Sequence, residues 1–192
     1  MPERTLDTAT PSARLAPYLR PGERLLWSGR PDPDVTFTAA DVYLIPFSLL
    51  WAGFVVVWEL TAITEVDGGA GWLFPLWGIP FVLVGAYMLV GRFFAKRRRK
   101  RKTVYGVTDE RALVAVGDDS LSDSPIRHVP VSRRRSRDGH LSVTFGSAPS
   151  GSSKMYANSG MELMSFRSTN LVAFYDVADA DGLSAALDQA AA

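Results

Sequence analysis

The sequence predicts a two-part membrane protein: a hairpin of two membrane-spanning helices and a mainly antiparallel β domain that ends in one helix. Three observations predict it. Apolar residues are concentrated between Val42 and Phe94 in two long runs, seven consecutive basic residues follow the second run, and beyond residue 103 the chain breaks into short β-branched segments separated by turn residues. Averages conceal this division. Over all 192 residues the hydrophobic share is 47% and the net charge is +1, values of an ordinary globular chain.

The first run, Val42 to Ile63, reads VYLIPFSLLWAGFVVVWELTAI, and its 22 residues carry one formal charge, Glu59. As a helix rising about 1.5 Å per residue it spans about 33 Å, against a hydrocarbon core of about 30 Å. The second run, Trp72 to Phe94, reads WLFPLWGIPFVLVGAYMLVGRFF, 23 residues charged at Arg92 alone. There the aliphatic stem can stay buried while the guanidinium reaches the headgroups. As core helices of a soluble domain, two such runs would leave this chain too little polar covering. The first run also starts too far in, and is too long, for the apolar region of a cleaved signal peptide. Glu59 sits in the last turn of the first span, where a carboxylate is a candidate for proton or ion handling. No second ionisable residue at that depth forms a relay with it.

Orientation follows from the positive charges. Residues 64–71, TEVDGGAG, carry Glu65 and Asp67 and neither Lys nor Arg, whereas Lys96, Arg97, Arg98, Arg99, Lys100, Arg101 and Lys102 follow the second span. Lys and Arg stay on the cytosolic side, so residues 1–41, the basic segment 95–102 and residues 103–192 are all expected in the cytosol, with an acidic tip outside. Tyr43 falls near the inner boundary, and Trp58 and Trp72 near the outer one. Trp51 and Trp77 lie deeper and are expected to face the partner helix. Gly78, Gly85 and Gly91, with Pro75 and Pro80, offer small surfaces for close packing against the first span.

After the basic run, TVYGV (103–107) and ALVAV (112–116) flank the polar Thr108-Asp109-Glu110-Arg111 as a hairpin. Gly117 to Ser124 reads as loop. IRHVPV (126–131) and HLSVTF (140–145) form a second antiparallel pair around SRRRSRDG, whose Asp138-Gly139 is a turn dipeptide. A Ser/Gly-rich loop spans 147–160, and LMSF (163–166) and LVAF (171–174) read as late strands. In the tail, Asp179 and Asp181 precede Leu183, Ala186 and Leu187, the spacing of one helical face behind an acidic start, which predicts a helix over about residues 179–190.

Three stretches carry a resemblance to bacterial membrane proteins that join a two-helix hairpin to a pleckstrin-homology-like (PH-like) domain. They are PGERLLWSGRP (21–31), with Glu23 and Trp27; Gly78-Ile79-Pro80-Phe81 with Gly91-Arg92-Phe93; and TVYGVTDER (103–111), with Tyr105, Thr108, Asp109 and Arg111. The resemblance covers most of residues 20 to 190. It implies a small antiparallel barrel or sandwich with a C-terminal helix at one end, structural roles for the motif residues, and a place in the bacterial inner membrane with both termini cytosolic. Since both flanks are expected on one side, residues 23–28 are expected to add a strand to the soluble domain, with Leu25 and Trp27 on its inner face.

Two basic clusters are candidate sites. The run Lys96 to Lys102 can attract anionic lipid, and Arg133, Arg134, Arg135 and Arg137, beside a turn, can meet an anionic headgroup or a partner. No aromatic platform interleaves with these arginines to stack bases, which argues against nucleic acid. The sequence has no nucleophile elbow, phosphate-binding glycine loop, paired acids or metal-ligand spacing, and no cysteine. Asp118, Asp119 and Asp123 lack the pattern of a calcium loop, and His128 and His140, which can approach across a hairpin, lack a third ligand. The expectation is therefore a non-enzymatic binding or scaffold module without cofactor or metal, whose partners are the bilayer, anionic headgroups or a membrane protein. The alternative is a small subunit of a transporter or envelope-stress complex in which the hairpin is the working part.

Overall fold

Apolar and β-branched residues along Thr103–Thr108 make a strand that can be buried on both faces, and the β unit is built outward from it. The computed structural model describes residues 10–64, 73–117, 120–146, 158–159 and 172–192. Their fold divides into a β unit and a helical unit, with the division at Thr36/Phe37 and again at Lys96/Arg97.

In the β unit, β2 (Thr103–Thr108) is buried at every residue and pairs antiparallel with β3 (Arg111–Val116). On its other side it pairs with β1 (Leu25–Gly29), placing Trp27 opposite Val107 and Gly29 opposite Tyr105. β4 (Ser120–Pro125) adds to β3, so the first sheet runs β1-β2-β3-β4. The second sheet is β5 (Val131–Arg135), β6 (Leu141–Phe145) and β7 (Ala173–Val177), also antiparallel. A single bridge from Pro31 to Val177 links the chain after β1 to β7. The described chain closes with helix α5 (Ala180–Ala191), capped by the Asp179 carboxylate, which accepts from the Gly182 N–H at 3.0 Å.

Two apolar clusters lie on the two faces of the first sheet. The larger joins Tyr105 and Val107 of β2 to Val143 and Phe145 of β6, Phe174 of β7, and Leu183 and Leu187 of α5. Tyr105 stacks on Phe174 at 4.6 Å between centroids, and its hydroxyl accepts from the Tyr175 N–H at 3.1 Å. Burial pushes that hydroxyl above the usual phenol range, so it stays a neutral core group. The smaller cluster holds Val104, Leu113 and Ala115 under Leu15 of α1 (Pro11–Leu15). Gly106 makes this possible, since a Cβ there would lie 2.6 Å from the Leu15 methyl.

In the helical unit, α2 (Asp41–Thr64) packs against α3 (Leu73–Ala86), a π-helical turn (Tyr87–Gly91) and the start of α4 (Arg92–Lys102). Both α2 and the helix over Leu76–Lys102 are long and apolar enough to cross a membrane. Small residues set the contact. Gly85 faces Trp51, whose indole N–H donates to the Phe81 carbonyl at 3.5 Å, and Gly78 faces Glu59. Gly91 packs on Tyr87 of its own helix.

Several sequence expectations are corrected. Residues 120–124, read as loop, belong to β4, whose mostly exposed alternation carries little apolar signal. The strand placed at 126–131 starts at Val131 instead. Pro130 has no N–H to pair, and His128 turns the chain at φ +67°. Leu25 and Trp27 do not share a face, because a bulge between them sends Leu25 to the smaller cluster and Trp27 to the larger. Trp77 points outward at 67% exposed and touches Phe81 of its own helix, not α2. The second apolar helix does not end near Phe94 but continues through the basic run to Lys102 and enters β2 at the next residue. The strand expected at 163–166, the tip 65–71 and Trp72 lie outside the described residues.

Trp27 tests the addition of β1. Its indole N–H donates to Asp179 at 2.8 Å and its ring stacks on Phe174. Trp27→Ala should lower the unfolding free energy of the β unit by about 2 to 3 kcal/mol, measured by urea unfolding of the full chain. A fragment of residues 103–192, which lacks β1, should be less stable than either.

Candidate functional site

The resemblance motifs on either side of the long helices meet at the β2–β3 turn. Thr108 Oγ1 accepts from the Arg111 N–H at 2.9 Å and donates to Glu23 Oε1 at 2.8 Å. The Arg111 guanidinium grips Glu23 as a fork, Nε to Oε1 at 2.8 Å and Nη2 to Oε2 at 3.0 Å. Its remaining donors reach Asp123 and the Tyr18 carbonyl, both at 2.9 Å. Beside it Asp109 accepts from the Arg24 N–H at 3.0 Å and its own N–H donates to the Arg24 carbonyl. Both Glu23 oxygens are engaged, and its side chain is 1% exposed. Hydrogen bonding from Arg111 lowers its pKa from near 4.5 to about 2. The same contact raises Arg111. These motif residues form a lock inside the chain.

The basic run divides by helix face. Arg92, Lys96 and Lys100 recur at every fourth residue, and all three are buried. Lys100 Nζ donates to the carbonyls of Asp32 (2.9 Å) and Val35 (2.7 Å) and to Asp176 Oδ2 (2.5 Å). Asp176 sits at φ +53°, unusual for a non-glycine residue. The contacts that hold it are Lys100, the Asp32 N–H on its carbonyl and Ser142 on its N–H. Asp32 carries the network on to His140 at 3.0 Å, and its carboxyl is held below the usual range, first by the Asp34 N–H and then by His140. Arg97 pairs with Asp34 at 2.6 Å. Arg98, Arg99, Arg101 and Lys102 are exposed.

Arg92 overturns the expectation of a guanidinium reaching outward. It is 1% exposed and forms an ion pair with Asp41 at 2.6 Å, with its guanidinium over the Phe93 ring. The π-helical turn immediately before it rotates the helix face relative to a regular α-helical register. Asp41 is fixed in turn by Thr38, whose N–H (2.6 Å) and hydroxyl (2.8 Å) both donate to Oδ2.

The arginines expected beside a turn lie mostly on β5. Arg133 pairs with Asp188 and Arg135 with Asp181, each at 2.7 Å, which puts alternate residues of the strand on the acidic side of α5. Arg134 alternates with them and is exposed, and Arg137 is in the turn before Gly139. The four are therefore not one convergent pocket. His140 meets Asp32 while His128 is exposed in the turn before Pro130, and Asp123 is taken by Arg111. Asp118 and Asp119 lie outside the described residues. Reading the sequence missed Asp32, Asp41 and Asp176. Asp41 had a signal, the Thr-x-x-Asp spacing at a helix start. Asp32 and Asp176 had none, because their partners are far along the chain.

Removing one side of the lock leaves a buried charge, so Arg111→Ala should destabilise the β unit by about 3 to 5 kcal/mol in urea unfolding. Glu23 also sets an acid limit. Its folded pKa is depressed, so its contribution, roughly 3 kcal/mol, is complete above about pH 4.5 and is lost as pH falls through about 2. Urea midpoints across that window should drop for the native chain and flatten in Glu23→Gln. Compared with protein-family models, curated proteins and solved structures, the chain matches none.

Proposed function

We propose that the protein is a membrane-anchored binding module, in which α2 and the helix over Leu76–Lys102 cross the membrane as a hairpin and the β unit is presented as a PH-like domain in the cytosol. The observation that carries this reading is the outward surface of the two helices. Val42 (69%), Leu50 (74%), Val57 (65%) and Phe94 (70%) are exposed along them, an apolar surface that water would not tolerate and hydrocarbon would cover.

Connectivity supports the hairpin, with both flanks on one side, independently of the basic run. Gly29 pairs with Tyr105 in one sheet, so the chain leaves β1 and returns to β2 on the same side, and the helices between must cross an even number of times. Four plus three antiparallel strands followed by a helix support the PH-like reading of the β unit. Arg98, Arg101 and Lys102, exposed on the helix end, are the groups best placed for anionic headgroups, each contributing about 1 kcal/mol near a charged surface. A second reading, in which the hairpin is the working part of a transporter or envelope-stress complex, is favoured by one observation, the Glu59 carboxyl lying on Gly78.

The chain lacks cysteine, so single thiols can report sidedness. In intact bacterial cells a membrane-impermeant maleimide should label Ala70→Cys and should reach Ser122→Cys only after permeabilisation. Release of the protein by alkaline carbonate, or equal labelling of both sites, would sink the proposal. Replacing Arg98, Arg101 and Lys102 together with Gln should lower co-purification of anionic over zwitterionic lipid, read by mass spectrometry of the purified protein. Unchanged lipid selectivity would remove these residues from the headgroup site.

A further inference from the structure

Between Ile126 and Arg137 the chain carries Arg127, Arg133, Arg134, Arg135 and Arg137 and neither Asp nor Glu. Strand β5 divides its arginines by face. Arg133 and Arg135 turn to Asp188 and Asp181 of α5, and Arg134 lies on the opposite side. The ladder runs one residue past β5, because the Ser136 N–H donates to the His140 carbonyl at 2.8 Å and the Ser136 carbonyl accepts from the Gly139 N–H at 3.2 Å. Alternation therefore puts Ser136 on the face of Arg134, with Arg137 next to it in the turn. Gly139, at φ +87°, closes that turn.

Ser136 is thus a hydroxyl held at an exposed hairpin tip among guanidinium groups. Three arginines run up to it in extended backbone along an outer strand of the second sheet, and a fourth follows. Such a run is complementary to an acidic substrate cleft, and charge pattern is a means by which protein kinases select one hydroxyl over another. Neighbouring serines lack this setting. Ser120, Ser122 and Ser124 share their strand with Asp123, Ser142 Oγ accepts from the Asp176 N–H, and Ser184 Oγ donates to the Ala180 carbonyl. Ser132 is exposed, but Pro130 and Val131 precede it in place of arginines.

We propose that Ser136 is the target of an arginine-directed protein kinase and that Arg134 and Arg137 hold the phosphate once it is in place. The Ser136 oxygen bonds to the γ-phosphorus of a nucleoside triphosphate, the bond from that phosphorus to the bridging oxygen breaks to release the diphosphate, and the hydroxyl proton passes to a carboxylate of the kinase. Phosphoserine carries a charge of about −1.5 to −2 at neutral pH. That offsets Arg134 and Arg137, so the modification strips the turn of its attraction for anions while Arg133 and Arg135 stay with α5. This inference rests on the cytosolic placement proposed above, since nucleoside triphosphate is supplied on that side.

The full chain, recovered from the membranes of its native cells with phosphatase inhibitors present, should yield a peptide with phosphate on Ser136 in tandem mass spectrometry. In detergent micelles, an arginine-directed serine kinase with magnesium and adenosine triphosphate should modify the folded chain at Ser136 and leave Ser136→Ala unlabelled. Replacing Arg133 and Arg134 together with Gln should slow that labelling severalfold. In the phosphorylated chain the phosphorus-31 titration midpoint should lie below the value of about 6 usual for phosphoserine, and Arg137→Gln should move it back up. A midpoint that this variant leaves in place overturns the role of Arg137. Native protein unmodified at Ser136, or labelling in micelles confined to other serines, overturns the site. If Ser122→Cys is meanwhile protected from external maleimide, the cytosolic placement stands and the modification alone falls. If Ser122→Cys is labelled in intact cells, both fall.

Discussion

The bidentate pair between Glu23 and Arg111 joins two stretches of chain that the long helices separate. Its neighbours repeat the connection, Asp109 to the Arg24 backbone and Trp27 to Asp179. With it in place, β1 completes the first sheet and its apolar residues divide between the two cores. Without it, β2 would be an edge strand with one side of its ladder unpaired. A buried ion pair of this kind adds little net stability over an apolar replacement, but it is costly to break and selective about its partner.

The same logic recurs with different chemistry along the helix that ends in the basic run. Every fourth residue turns inward, and two of the inward cations meet acids placed by other parts of the chain, Arg92 with Asp41 and Lys100 with Asp176. Both are nearly free of solvent, whereas the arginines between them are exposed. One uninterrupted basic sequence therefore contains two populations, the buried Lys96 and Lys100 and the exposed cations around them.

The elements most legible in the sequence were those with a strong period or a strong local signal. The two apolar helices, the β2–β3 hairpin, β6 and the amphipathic α5 all carry such signals in their own residues. β4 and β5 did not, because Ser120–Pro125 and Val131–Arg135 are mostly polar and are strands by virtue of their neighbours. Composition also could not assign partners to charges. Seven consecutive cations read as one run able to attract anionic lipid, and the placement of Asp34 and Asp176 is what separates Arg97 and Lys100 from it. The π-helical turn at Tyr87–Gly91, which has no sequence signature here, is what makes the environment of Arg92 unreadable from spacing.

Both long helices lie between two strands that are hydrogen-bonded neighbours. During synthesis β1 leaves the ribosome first and has nothing to pair with until the whole of α2, α3 and α4 has followed. The sheet can close only after that delay, so maturation of the β unit is a late event, contingent on the fate of the helices. If the helices cross as proposed, a chain in which one of them failed to insert would strand β1 and β2 in different compartments, leaving an open sheet edge for quality-control proteases to find.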